Sequence, residues 1–218
     1  MEIKTILFDF DGTLADTLPS SFAAFRYVFE KYDDRTLDDE EIVKMFGPIE
    51  DKILRDHLNN QECIEEAIDD YYAKYDQEHN REFEKLDEIK DLLNHLKELE
   101  LNIGIVTGKS RRALTISLEL LEIYNYFDVT ITGDEVKKPK PDPEGIQKCL
   151  GLLHNSTDEV IFVGDSETDI KAGMAANVRT VAAQWFSTVQ TTNFEIEPNK
   201  KFDSIHDFLS FVEERVKD

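Results

Sequence analysis

Two aspartates two residues apart follow the first apolar segment of the chain. Residues 3–8 are β-branched, aliphatic and aromatic without helical spacing, which predicts a buried strand. Asp9, Asp11 and Gly12 come next, and because Asp and Gly form strands poorly, the chain should leave the sheet at Asp9. Two carboxylates this close repel each other unless a cation separates them, and Mg²⁺ prefers oxygen ligands. The alternative for this pair is an ordinary strand-ending turn.

Three later segments carry similar chemistry where a predicted strand or helix begins or ends. They are Thr107-Gly108 after a strand over 101–106, Lys138-Pro139-Lys140-Pro141 before a helix over 142–153, and Gly164-Asp165 to Asp169 after a strand over 160–163. The carboxyl ends of parallel strands lie on one edge of a sheet, so these side chains can converge. Together they offer an oxygen-rich metal site, a hydroxyl, an ammonium, backbone N–H groups and a carboxylate nucleophile, which are the groups that phosphoryl transfer requires.

Strands and helices alternate in the sequence after about residue 85. This alternation predicts an α/β fold with a mostly parallel sheet and helices on both faces. Between Thr13 and Thr107 lie 93 residues, whereas a βαβ unit needs only about 30. The surplus stretch 16–84 has helical patterns throughout, so we interpret it as an inserted helical cap. The core would be 1–15 and 85–218, with hinges near 14–18 and 82–86, and the cap could close over the site and exclude water.

The overall charge excludes some classes of partner. The 218 residues include 25 Lys and Arg against 47 Asp and Glu, for a net charge of −22. Nucleic acids and anionic membrane surfaces need clustered positive charge, so neither is an expected partner. No long apolar run or basic leader is present, which predicts a cytoplasmic protein. Cys63 and Cys149 lack metal-ligand spacing and are expected to be buried thiols. Monomer and homodimer both remain open.

The four motifs, in order and spacing, resemble those of haloacid dehalogenase (HAD) superfamily phosphatases with a helical cap after the first motif. They are D-x-D-G-T at 9–13, T-G at 107–108, K-P-x-P at 138–141 and G-D-x-x-x-D at 164–169. The resemblance covers essentially the whole chain and implies a Rossmann-like sheet. It also implies that Asp9 attacks phosphorus to form an aspartyl-phosphate, and that Asp11 protonates the leaving oxygen and then deprotonates the hydrolytic water.

The resemblance implies roles for the remaining motif residues as well. Thr107, Gly108 and Phe10 would hold phosphoryl oxygens, and Thr13 would support the first loop. Lys138 would pair with both Asp9 and phosphate, with Lys140 as its rival for this role. The implied Mg²⁺ ligands are Asp9, the backbone carbonyl of Asp11, Asp165, and Asp169, the last directly or through water. The alternative for Asp169 is a helix N-cap.

Features near the cap narrow the choice within the family. Asp11 argues against a dehalogenase, which attacks carbon and needs no acid there. Mutases of the β-phosphoglucomutase kind usually carry a cap Arg shortly after the Gly that corresponds to Gly47, whereas Gly47 to Lys52 is acidic and Arg55 lies one turn further on. Gly47-Pro48 looks more like phosphoglycolate phosphatases and the related pyrophosphatases. We favour exposed positions for Lys52 and Arg55, although either could contact the substrate.

The sequence therefore predicts a Mg²⁺-dependent phosphatase of small phosphorylated metabolites, with phosphoglycolate as the leading substrate. A pyrophosphatase and a β-phosphoglucomutase-like phosphomutase are alternatives within the family. A non-catalytic interaction protein that retains the fold is the alternative from another class. Arg111 and Arg112 are expected to be helix-surface charges, and Lys109 could lie near the site without contacting phosphate.

Overall fold

A single parallel sheet forms the centre of the molecule. The computed structural model describes residues 2–79, 85–187, 191 and 193–216. Within them lie β1 (Thr5–Phe8), β2 (Asn102–Val106), β3 (Val129–Ile131), β4 (Val160–Gly164), β5 (Arg179–Ala183) and β6 (Lys200–Phe202). Their spatial order is β3-β2-β1-β4-β5-β6, and all neighbouring pairs are parallel. The strand order reverses between β1 and β4, and open α/β sheets bind ligands at the carboxyl ends beside such a reversal.

Helices cover both faces of this sheet. The helices are α1 (Leu18–Asp33), α2 (Asp39–Val43), α3 (Glu50–His57), α4 (Ile64–Glu78), α5 (Leu86–Glu98), α6 (Arg111–Leu120), α7 (Glu144–Leu153), α8 (Glu167–Ala175) and α9 (Ile205–Glu213). Because side chains alternate along a strand, Ile6 and Phe8 pack in the core with α5, α6 and α9, whereas Leu7 packs with α7 and α8. The α/β fold class predicted from the sequence, a Rossmann-like parallel sheet with helices on both faces, is thus confirmed.

Helices α1 to α4 form a separate layer between β1 and α5 in chain order, called here the α1–α4 layer. Its interior is an aromatic-rich cluster in which the rings of Phe25 and Tyr71 lie 4.6 Å apart. Tyr75 in α4 exchanges a 2.9 Å hydroxyl–hydroxyl hydrogen bond with Ser117 in α6, which ties this layer to the rest of the molecule. The division at 15/16 and 84/85 stays a prediction. Residues 80–84, and so most of the hinge predicted at 82–86, lie outside the described residues.

The two thiols differ in environment. Both are free, but Cys149 is buried while Cys63 is only half-buried, so the expectation of two buried thiols is right for one. Burial raises the pKa of the Cys149 thiol to about 12, and the nearby charge of Glu135 adds to this effect. Cys149 is therefore a neutral core side chain rather than a nucleophile. In the described part of the chain, no helix has the length and apolar character needed to cross a membrane.

Candidate active site

Three buried carboxylates meet where the strand order reverses. Asp9 follows β1, and its backbone N–H donates to the Val163 carbonyl at 2.8 Å. Asp165 follows β4, and Asp169 lies in the first turn of α8. One oxygen from each of the three side chains lies within 4.8 Å of the others. The loop after β1 can approach Asp165 only because residue 12 is glycine. Gly12 has φ of +76°, and a Cβ at this position would lie 2.3 Å from Asp165 Oδ2.

Lys140 is the cation of this cluster. Its Nζ lies 2.7 Å from Asp9 Oδ1 and 2.6 Å from Asp169 Oδ1, and it donates to the Val106 carbonyl at 3.3 Å. Burial opposes the charge of Lys140, but the two carboxylates outweigh it and raise its pKa. The pKa of Asp9 is raised to about 7, first by burial and then by the charge of Asp169, although Lys140 opposes both. One ammonium therefore leaves this site short of positive charge.

The prediction that Lys138 pairs with Asp9 is wrong, because the structure puts Lys140 there. The Lys138 side chain is 74% exposed, and its Nζ lies 3.7 Å from Asp142 Oδ2. The Glu144 carboxylate accepts its backbone N–H at 3.0 Å, which holds this part of the loop at the surface. A hydrogen bond from Asp142 N–H to the Pro139 carbonyl then closes a turn, and Lys140 inside that turn reaches the cluster.

The Asp11 carboxylate lies apart from the three-carboxylate cluster. Both of its oxygens contact Lys109 Nζ, at 3.1 and 3.2 Å, and one also accepts a hydrogen bond from the Thr17 hydroxyl. Lys109 is buried with its Nζ 4.8 Å from the centre of the Tyr75 ring. Burial opposes its charge, but Asp11 outweighs this and raises the pKa of Lys109. The side chain of Asp11 thus contacts an ammonium, which leaves its backbone carbonyl as the metal ligand that the resemblance implies.

The loop after β2 lies at the same edge of the sheet as Asp9 and Asp11, because β2 pairs in parallel with β1. The Thr107 N–H donates to the Ile131 carbonyl at 3.0 Å, and the Thr107 hydroxyl accepts the Lys109 N–H at 3.2 Å. A Cβ at Gly133 would lie 2.4 Å from the Gly108 carbonyl oxygen, so glycine lets the two loops approach. Phe10, also predicted to hold phosphate, packs its side chain in the core. Its carbonyl accepts N–H groups from Thr13, Leu14 and Ala15 and so closes the first loop.

A cavity of about 250 Å³ lies between these loops and the α1–α4 layer. From the sheet edge, Asp9, Asp11, Thr107, Gly108 and Lys140 line it, together with Lys109, Pro139, Ser166 and Thr168. The α1–α4 layer contributes a mostly apolar wall, formed by Leu18, Ser21, Phe25, Phe46, Gly47, Pro48, Glu50, Ile53 and Tyr71. Of the predicted site residues, the structure thus brings Asp9, Asp11, Thr107 and Gly108 to the lining of one small cavity. Asp165 and Asp169 lie buried beside Asp9.

The cations considered for the edge of the site lie on the surface. Lys52 and Arg55 are exposed and pair with Asp56 and Glu65, each with a closest contact of 2.7 Å. In the same way, Arg111 pairs with Glu135 and Arg112 with Asp69. The expectation that these four side chains are helix-surface charges fits their positions.

Asp165 and Asp169, together with Asp9, have the chemistry of a magnesium site. All three side chains are buried and supply only oxygen donors, which suits a hard divalent cation. A divalent ion there would also offset the repulsion that raises the pKa of Asp9. Asp169 is not the N-cap of α8. Ser166 takes that place, and it donates both its N–H and its hydroxyl to Asp169 Oδ2, at 3.0 and 2.5 Å.

The sequence reasoning undervalued three residues of this site. Lys109 was expected only near the site, and Thr17 and Glu50 were not considered as functional residues. Lys109 directly follows Thr107-Gly108, so its position in a strand-end loop was a usable signal. Glu50 is buried and its carboxylate accepts the Ser110 N–H at 2.9 Å. Nothing in the sequence distinguishes it from the other acidic residues that commonly begin helices.

These features define a class of α/β enzyme with an acidic, metal-compatible site. They are the sheet order, the carboxylates after β1 and β4, and the lysine between them. The profile of the haloacid dehalogenase-like hydrolase family matches residues 6–183. The chain therefore belongs to this family, and it is a phosphatase-type enzyme of the family.

Individual relatives agree with this assignment. The pyrophosphatase PpaX of Bacillus mycoides is 32% identical over 215 residues, which cover 97% of this chain and 98% of that protein. A solved structure titled as a predicted phosphoglycolate phosphatase, from Haemophilus somnus, superposes with a TM-score of 0.80 at 20% identity, covering 97% of this chain and 98% of that one. YfnB from Bacillus subtilis, bound to magnesium, superposes with a TM-score of 0.73 at 18% identity, covering 97% and 99%.

Proposed function

We propose that this protein is a Mg²⁺-dependent phosphatase that hydrolyses small phosphorylated metabolites through an aspartyl-phosphate. The observation that carries the proposal is the buried Asp9 carboxylate, held by Lys140 at 2.7 Å beside Asp165 and Asp169. A carboxylate nucleophile needs a fixed orientation and neutralised surroundings rather than a base to activate it. Lys140 supplies the orientation and part of the neutralising charge, and it is the residue to which we now assign the role predicted for Lys138.

The reaction has two displacement steps. In the first, an Asp9 oxygen attacks phosphorus, the bond between phosphorus and the leaving oxygen breaks, and Asp11 donates a proton to that oxygen. In the second, Asp11 takes a proton from water, the water oxygen attacks phosphorus, and the Asp9 carboxylate leaves. Thr107 and the Gly108 N–H would hold phosphoryl oxygens during both steps. Mg²⁺ held by Asp9, Asp165, Asp169 and the Asp11 carbonyl would neutralise phosphoryl charge.

Phosphoglycolate and pyrophosphate are the two candidate substrates. The similarity in fold to the Haemophilus somnus protein favours phosphoglycolate. The similarity in sequence to PpaX over almost the full length favours pyrophosphate. Both are small enough for a cavity of about 250 Å³. A mutase is less favoured because Lys52 and Arg55, which could grip a second sugar phosphate, form surface ion pairs instead.

Asp9→Asn provides the direct test of the mechanism. Asparagine keeps the shape of the side chain but is a far weaker nucleophile, so we expect at least a roughly 1,000-fold loss of phosphate release with the fold unchanged. Phosphate release is measured on phosphoglycolate, pyrophosphate, nucleotides, hexose phosphates and an aryl phosphate, each with Mg²⁺ and with EDTA. Near-normal Mg²⁺-dependent activity in the variant would refute the mechanism. If the wild type released no phosphate from any compound while Mg²⁺ binding was demonstrated, the non-catalytic alternative would be favoured.

A further inference from the structure

The cavity contains two lysines with different partners. Lys140 contacts Asp9 and Asp169 and belongs to the nucleophile and the metal cluster. Lys109 contacts Asp11, the Thr17 hydroxyl at 3.4 Å and the face of the Tyr75 ring. Of the cavity-lining residues that the structure describes, Lys109 is thus the cation on the side of the acid rather than of the nucleophile. A lysine side chain ordinarily carries its positive charge at neutral pH.

The part of the cavity wall formed by the α1–α4 layer places a negative charge close to Lys109, because the Glu50 carboxylate accepts the N–H of the adjacent Ser110. Glu50 is the one charged residue among those that the described part of the α1–α4 layer contributes to the lining. It is 7% exposed, and its carboxylate is fixed by the Ser110 N–H. Burial raises the pKa of Glu50, although Lys109 opposes this. An anionic group on the leaving part of a substrate would find no compensating cation on this wall and would be repelled wherever Glu50 is ionised.

We propose that Lys109 binds a second anionic group on the leaving part of the substrate and so selects phosphorylated compounds whose leaving group is small and anionic. This inference rests on the proposed function, because it takes Asp11 as the group that protonates the leaving oxygen. Lys109 Nζ lies 3.1 Å from Asp11 Oδ2, so it is one contact away from the bond that breaks. A carboxylate or phosphoryl group a few bonds from that oxygen would come within reach of the ammonium.

The proposal predicts that the protein prefers substrates with an anionic leaving group over matched substrates with a neutral one. Phosphoglycolate and 2-hydroxyethyl phosphate have the same chain length and differ in a carboxylate against a hydroxymethyl group. A hydrogen bond to a charged group contributes about 1.5–3 kcal/mol, which corresponds to roughly a 10- to 100-fold preference. Wild-type protein should therefore show a higher kcat/KM for phosphoglycolate than for 2-hydroxyethyl phosphate. Pyrophosphate, whose leaving group is itself phosphate, should likewise exceed methyl phosphate.

The role of Lys109 is tested by measuring kcat/KM of the Lys109→Met variant for the anionic and the neutral substrate of each pair. The variant loses its contact with Asp11, so all rates should fall, but the ratio of kcat/KM for the anionic over the neutral substrate should fall a further 10- to 100-fold or so. Lys109→Arg should restore most of this ratio because it restores the charge. Glu50→Gln removes the opposing charge and should raise the ratio a few-fold. Lys52→Met, which removes an exposed lysine from α3, is the matched control and should leave the ratio unchanged.

The outcomes separate the two proposals. Equal loss for all substrates in Lys109→Met, with the ratio unchanged, would overturn this inference and leave Lys109 as a structural partner of Asp11. A wild-type ratio near one would also overturn it. By contrast, Mg²⁺-independent hydrolysis of the aryl phosphate, or an active Asp9→Asn variant, would overturn the proposed function. If Lys109→Met fails to fold, Lys109→Gln takes its place, because glutamine can still hydrogen-bond Asp11 but carries no charge, and an unchanged ratio in that variant would overturn the inference.

Discussion

At the scale of single residues, one ammonium bridges two carboxylates and reduces the repulsion between them. Lys140 reaches Asp9 and Asp169 with contacts of 2.7 and 2.6 Å, and its side chain is only 13% exposed. Removal of such a buried ammonium destabilises the protein, because its two carboxylate partners keep their negative charge without a compensating cation. Lys138, two residues earlier, is separated from these carboxylates and contacts only Asp142 at 3.7 Å among the described acidic groups. The two lysines therefore form a natural matched pair.

We expect Lys140→Met to lower kcat/KM for an aryl phosphate by at least about 100-fold, because Asp9 loses its orienting partner and the phosphoryl group loses a cation. Lys138→Met removes the same charge from the same loop and should change kcat/KM less than about twofold. Both variants are assayed at saturating Mg²⁺, and circular dichroism verifies that they are folded. The assignment fails if the Lys138 variant is the one that loses activity.

The sequence was sufficient to predict which carboxylates converge but not which lysine joins them. Asp9 and Asp165 each follow a short apolar run, which predicts that each ends a strand. Because parallel strands have their carboxyl ends on one edge of the sheet, the two side chains are predicted to lie close together. K-P-K-P offers two lysines with a proline after each, so spacing alone supports either one. The choice depends on the Glu144 carboxylate holding the Lys138 N–H and on the turn from Pro139 to Asp142. The first contact joins a side chain to the backbone and the second joins two backbone groups, and only the folded loop creates them.

At the scale of elements, α6 links the loop after β2 to the α1–α4 layer. Its Ser117 hydroxyl lies 2.9 Å from the Tyr75 hydroxyl and 2.7 Å from His79 Nε2, and it donates to the Ala113 carbonyl at 3.1 Å. All three of these side chains are buried. Burial, followed by the nearby charge of Lys109, lowers the pKa of His79 to about 4, so its ring is neutral at pH 7. The contact that Ser117 makes with Tyr75 and His79 is therefore a neutral hydrogen-bond network.

Ser117→Ala should destabilise the protein by about 1–3 kcal/mol, because buried polar groups of Tyr75 and His79 lose a partner in a site without ready access to water. The free energy of unfolding in urea is the measurement. Thr115→Ala serves as the control on the same helix, since its half-buried hydroxyl donates only to the Arg111 carbonyl of the preceding turn. A loss no larger than that of the control would show that this network contributes little to stability.

Most elements could be predicted from periodicity because they bury a clear apolar face. Helix α5, for example, places Ile89, Leu92, Leu93 and Leu96 in the core at helical spacing. Strand β6 was not predicted, because Lys200–Phe202 has no alternation of apolar and polar residues. Among the described strands it pairs with β5 alone, at the edge of the sheet. Its existence depends on hydrogen bonds to a neighbour far away in sequence, which local patterns do not report.

At the scale of the whole molecule, the protein carries a net charge of −22 and is expected to bind an anionic substrate. Local cations act at contact distance, whereas the surplus of surface carboxylates repels the substrate from further away. Salt screens the distant charges far more than the buried pairs, because the Debye length at 0.1 M is only about 10 Å. The overall field should therefore oppose substrate capture at low ionic strength without affecting the chemistry of the bound complex.

We accordingly expect kcat/KM for an aryl phosphate to rise about two- to fivefold between roughly 20 and 300 mM KCl at saturating Mg²⁺, while kcat changes little. The measurement is steady-state kinetics with Mg²⁺ saturation verified at each salt concentration. A double variant, Glu40→Lys with Glu62→Lys, reduces the negative charge at two exposed positions that lie outside the cavity, and it should show a weaker salt response. A kcat/KM that falls with salt in the wild type would mean that the local lysines, rather than the surface acids, dominate the field that the substrate meets on approach.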